Sequence, residues 1–68
     1  MAQRYYVNKN APNGDHEVHT TGCPKPPLEE NRISLGLHDH CRTAVADAKK
    51  LYAHVNGCYY CCNPCHTG

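Results

Sequence analysis

Six cysteines and six histidines stand among 68 residues, so close to one side chain in six can ligate a metal or form a cross-link. They are not scattered evenly. His19 and Cys23 form one cluster, separated by three residues. Cys58-x2-Cys61, overlapped by Cys62-x2-Cys65-His66, forms another near the C-terminus. A structural zinc site wants four thiolate or imidazole ligands at tetrahedral corners, and two close-spaced pairs can each deliver two of them from one tight turn. The first cluster offers His19 and Cys23. The second offers either Cys58 with Cys61 or Cys62 with Cys65. Neighbours such as Cys61 and Cys62 point in different directions, so both do not serve one ion, and the unused pair is left as a dithiol, a disulfide or a second site closed by His66.

Side chains so far apart in sequence need a scaffold to bring them together. Arg4-Tyr5-Tyr6-Val7-Asn8 reads as a short strand of β-favouring residues. Pro12 and the Asn13-Gly14 pair make a turn, because Asn and Gly tolerate positive φ. His16-Glu17-Val18-His19-Thr20 follows as a second strand, with His16, Val18 and Thr20 on one face and Glu17 and His19 on the other. Cys23-Pro24 ends it, and Pro24, Pro26 and Pro27 stiffen the connector. Asn31 to Leu35 alternates again as a third strand, offering Ile33, Leu35 and Leu37 to one face. One helix is expected from about His40 to Tyr52, capped by Asp39. Its apolar stripe comprises Cys41, Ala44, Val45, Ala48, Leu51, Tyr52 and Val55. Asn56-Gly57 stops it.

The pattern predicts one small domain over residues 1–68. Its fold class is α+β, a β-hairpin or three-stranded antiparallel sheet with one helix, stapled by zinc. Val, Ile and Leu number nine, and Phe and Trp are absent. A core that thin often needs a metal, disulfides or a partner, and metal binding coupled to folding could supply what the aliphatic side chains do not. The five tyrosines are read as core rather than as base-stacking platforms.

The string Tyr6-Val7-Asn8-Lys9-Asn10, then Val18-His19-x3-Cys23, Asn31-Arg32-Ile33, a helix with Ala44 and Ala48, and Gly57-Cys58-x2-Cys61 resembles the small Ada-like metal-binding module. The resemblance covers residues 5–61. It implies a hairpin, a strand, a helix and a closing Cys-x2-Cys around one zinc, with His19, Cys23, Cys58 and Cys61 as ligands. The alternative second pair remains Cys62 and Cys65. The family's founding member repairs methylated DNA phosphotriesters with the first ligand thiolate as methyl acceptor. Here that position is His19, and an imidazole is not that nucleophile, so the resemblance carries over fold and metal and not activity. The chain also resembles short bacterial proteins with the same Cys-rich ending.

Composition narrows the function classes further. A net charge of +1 is no electrostatic footprint for tight nucleic-acid binding. No apolar segment is long enough to span a membrane. The N-terminus shows no signal-like apolar stretch, so a reducing cytoplasmic setting is expected, where clustered Cys favour metal or redox chemistry over structural disulfides. No Ser-His-Asp set, phosphate-binding glycine loop or poised carboxylate pair suggests an enzyme. Cys41, on the helix stripe, is expected to be a small buried hydrophobe. The function expected is a zinc-stabilised structural or binding module with a protein partner, nucleic acid being the weaker candidate. The alternatives are a thiol redox or sensor protein using the C-terminal Cys-x2-Cys, and a disulfide-stapled domain. A c-type haem at Cys62-Asn63-Pro64-Cys65-His66 is disfavoured, since no internal Met offers a second axial ligand and one short helix cannot wrap a haem.

Overall fold

Alternation along the first two strands decides which side of the sheet becomes the core. The computed structural model describes residues 2–12, 14–24 and 26–67. Strand β1 runs Gln3–Asn8 and pairs antiparallel with β2, His16–Thr20, in a register that sets Val7 opposite Val18 and Tyr6 opposite His19. Partners across a ladder share a face, so Tyr5, Val7 and Val18 point to one side and Tyr6 and His19 to the other. The connecting turn includes Gly14 at φ +89°, a conformation open to glycine at little cost; its neighbour Asn13 lies outside the described residues.

Strand β3, Arg32–His38, pairs antiparallel with the free edge of β1. Tyr6 faces Ser34 but Tyr5 faces Gly36, so Leu35 is an extra residue at a β-bulge. Gly36 takes φ +80° there. The bulge reverses the alternation beyond it. Ile33 and Leu35 pack against the core, whereas Leu37 lies opposite Arg4 and is 60 % exposed. The expectation that Leu37 shares their face is therefore corrected.

Helix α1 spans Cys41–Ala48, shorter than the expected His40–Tyr52, and its N-cap is His40 rather than Asp39. The His40 Nδ1 accepts the Arg42 N–H at 3.0 Å, satisfying one orphan donor of the first turn. At the other end the hydrogen bonds tighten, with the Lys50 N–H donating to Asp47 and the Leu51 N–H to Ala48. Beyond this point the chain is drawn back to the sheet. The Tyr52 ring stacks on His16 with centroids 3.6 Å apart, and the His16 N–H donates to the His54 carbonyl. Leu51, although on the predicted stripe, is left 53 % exposed.

That return builds a fourth strand, β4, Val55–Gly57, lying parallel to β2. The sheet order is β3-β1-β2-β4, a mixed four-stranded sheet with α1 against one face. The class is α+β as expected, with one strand more than the sequence suggested. The core comprises Tyr5, Val7, Val18, Ala44 and Ala48 together with the sulfurs of Cys23, Cys41, Cys58 and Cys62. Among the described residues, Val7 and Val18 are the fully buried aliphatic side chains larger than alanine, and each stabilises by about 1.5–3 kcal/mol. With so little apolar bulk, the state of the cysteines decides how firmly the fold holds.

Candidate metal centre

The parallel pairing of β4 with β2 delivers the second cysteine cluster to the first. The Cys58 N–H donates to the Val18 carbonyl at 2.9 Å, which places Cys58 beside His19. A turn follows in which the Cys62 N–H donates to the Cys58 carbonyl, and this brings Cys61 back over the end of β2. There the Thr20 N–H donates to Cys61 Sγ at 3.3 Å. Cys23 arrives from the other side through a tight turn closed by its own N–H on the Thr20 carbonyl. Gly57 makes the approach possible. A Cβ on it would stand 2.8 Å from the Cys62 carbonyl oxygen and 2.8 Å from Cys65 Cβ.

The result is a compact group of four donors: His19, Cys23, Cys58 and Cys61, with one ligand atom of each within 4.8 Å of all the others. His19 Nδ1 lies 3.4 Å from Cys23 Sγ and 3.9 Å from Cys61 Sγ, and Cys23 Sγ lies 3.7 Å from Cys58 Sγ. A zinc tetrahedron with Zn–S of about 2.3 Å and Zn–N of about 2.0–2.1 Å has edges of about 3.8 Å between sulfurs and about 3.6 Å between nitrogen and sulfur. These three spacings lie close to those edges, and the remaining ones stay within 4.8 Å. A small domain with this cluster is compatible with metal binding.

The surroundings suit the donors. His19 is held by a stacked contact with Tyr6 at 5.7 Å, and its Nε2 points toward Glu17 Oε1 at 3.8 Å. A carboxylate on that side of the ring would leave Nδ1 available to an ion. Burial, helped by the nearby Arg32 charge, lowers the His19 pKa, which keeps the ring in the neutral form a metal requires. Burial pushes the Cys61 thiol up to about 11, against the Thr20 N–H, which lowers it. Without a cation this pocket disfavours thiolates; a divalent ion would reverse that balance. The Arg32 guanidinium lies 4.9 Å from the Tyr6 ring centroid, anchored by two hydrogen bonds to the Pro27 carbonyl. Tyr6 Oη is buried without a hydrogen-bond partner among the described residues.

The other cysteines divide differently. Cys65 is bonded to Cys41 in a disulfide between the short 3₁₀ turn Asn63–Cys65 and the first residue of α1. Cys41 is thus buried as expected, but as a cross-link and not as a free thiol. The alternative pair does not assemble: Cys65 is committed to the disulfide, and Cys62 packs in the core 3.9 Å from Cys61. His40, Cys41 and Cys65 also converge, with both sulfurs spent in the bond. His66 turns inward, its Nδ1 2.9 Å from the Gly57 carbonyl oxygen. Nothing in the spacing singles out the Cys41–Cys65 bridge, because six cysteines allow fifteen pairings. Comparison with protein families, with curated proteins and with solved structures finds no match for this chain.

Proposed function

We propose that this chain is a zinc-stabilised structural module, with His19, Cys23, Cys58 and Cys61 holding one Zn²⁺. The observation that carries this reading is the convergence of four donors, from chain segments 35 residues apart at Cys23 and Cys58, at near-tetrahedral spacing. One imidazole and three thiols form a donor set favoured by zinc in closed structural sites. All four positions are filled by protein, which leaves no open position for substrate, so the ion would stabilise rather than catalyse. The donor arrangement is also the one implied by the resemblance to the Ada-like module. In this reading the partner is a protein, met through the exposed Tyr59 and Tyr60 beside the centre. A net charge of +1 gives little attraction for phosphate backbones.

Native mass spectrometry of protein purified without chelator tests the metal directly. One zinc per chain is expected, lost in Cys61→Ser and kept in Cys62→Ser. Retention of zinc by the first variant and its loss from the second would reassign the site. A zinc-free chain that keeps full structure would end the proposal.

A further inference from the structure

A groove of about 430 Å³ opens between α1 and the C-terminal turn, and the disulfide forms part of its wall. Cys65 lines the groove and is partly exposed, whereas Cys41 is only 5 % exposed and is not among the lining residues. Arg42 and Lys49 are exposed at the same groove, and no carboxylate lines it among the described residues. One half of the bridge, Cys65, thus stands at the wall of a recess bordered by two cationic side chains. We propose that this groove receives a small thiol bearing carboxylates and directs it onto Cys65 Sγ in thiol–disulfide exchange.

The regiochemistry follows from access and from the leaving group. The incoming thiolate forms a new S–S bond to Cys65 Sγ as the Cys41–Cys65 bond breaks. The electron pair departs on Cys41 Sγ, which takes a proton from water to replace the one the incoming thiol released. The products are a Cys65 mixed disulfide and a Cys41 thiol. No other oxidant or reductant enters. Cys41 is the first residue of α1, where the positive end of the helix dipole stabilises a departing thiolate, and the sulfur that carries charge better leaves faster. His40 Nδ1 lies 3.7 Å from Cys41 Sγ, but its one lone pair already accepts the Arg42 N–H, so the proton comes from water. This first step already unfastens the C-terminal turn from the helix; a second thiol attacking the small-molecule sulfur of the mixed disulfide would release Cys65 as a thiol and leave as the symmetric small-molecule disulfide. This chemistry uses none of the four donors of the metal centre.

The test offers the full-length protein, purified without chelator, three thiols at equal thiolate concentration and low salt: anionic glutathione, neutral 2-mercaptoethanol and cationic cysteamine. Intact-mass and peptide mapping after acid quench read the adduct and its position. The adduct is expected on Cys65, with glutathione reacting about five- to tenfold faster than the neutral thiol and cysteamine slowest, as two nearby positive charges would dictate. Arg42→Gln with Lys49→Gln, which leaves the disulfide intact, should bring the three rates together, as should high salt. Adducts chiefly on Cys41 or on Cys23, Cys58 and Cys61 would overturn the proposal. So would rates indifferent to thiol charge, or an unreactive disulfide.

Discussion

Two sulfur-based clips fasten the last third of this chain, and they work in opposite ways. At one end His19, Cys23, Cys58 and Cys61 bring their donor atoms within 4.8 Å of one another without a disulfide among them. At the other, Cys41 and Cys65 are joined directly, α1 to the C-terminal turn. The first cluster brings the end of β2 to the segment after β4 and, in the proposed reading, is fastened by an ion. The second secures the helix and depends on redox state. One short stretch, residues 58–65, supplies sulfur to both. In the proposed reading, a chain that fully buries only two aliphatic side chains larger than alanine among its described residues divides its cross-linking between coordination and covalency.

The largest effect should come from breaking the metal clip. Cys58→Ser, or removal of metal by a strong chelator, is expected to lower the thermal midpoint and weaken the sheet signal in circular dichroism more than any other change, since a structural ion contributes folding free energy. Breaking the covalent clip should cost less. Cys41→Ser opens a bridge spanning 24 residues, for which loop entropy gives about 3 kcal/mol, and urea denaturation of the metal-loaded variant would measure it. A zinc-loaded variant that still unfolds cooperatively would show the two clips to be separable.

Gly57→Ala sharpens the comparison because it strains both clips at once. The added methyl meets the Cys62 carbonyl and Cys65 Cβ at 2.8 Å, and overpacking of this kind costs about 1–3 kcal/mol. Weaker metal retention should accompany the lost stability; a drop in stability alone would confine the strain to the disulfide side.

The mildest probe is pH on the metal-free protein. The folded pKa of His19 is lowered from 6.5, so below about pH 6.5 the unfolded chain binds a proton that the folded one resists. Stability is complete above that value and falls as pH drops through the window beneath it. Cys61 has the opposite sign. Its folded pKa is raised from 9.0 to about 11, so its contribution is complete below pH 9 and is lost as pH rises toward 11. Denaturation midpoints of the metal-free chain should fall at both ends. Metal loading should remove the alkaline loss and steepen the acidic one, because protons compete with the ion for its ligands.

Local pattern made much of this arrangement legible. His16–Thr20 stands in the structure with the boundaries its alternation implied, and β1 starts one residue earlier than read. The spacing of His19 with Cys23 and of Cys58 with Cys61 marked two clusters, and the structure brings those four side chains together. What escaped depends on distant partners. Leu51 and Tyr52 continue a helical stripe, yet Tyr52 is captured by His16 and the helix ends at Ala48. The strand Val55–Gly57 is too short to show a period and exists because β2 offers an edge. Leu37 turns outward because of a bulge set by pairing with β1. The Cys41–Cys65 bridge joins a helix start to a 3₁₀ turn, a proximity no spacing rule encodes.

The disulfide has a consequence for how the molecule assembles. Along the backbone, Cys23 and Cys61 are 38 residues apart. With Cys41 bonded to Cys65, the shortest path runs through the bridge and back from Cys65, close to 23 residues long. Closing a loop over the shorter path is easier by about half a kcal/mol, so the oxidised chain should gather its metal ligands about twofold more readily than the reduced one. By reciprocity, an ion held there favours the bridge by the same factor. Oxidation and metal capture would then reinforce each other weakly, and neither would have to come first.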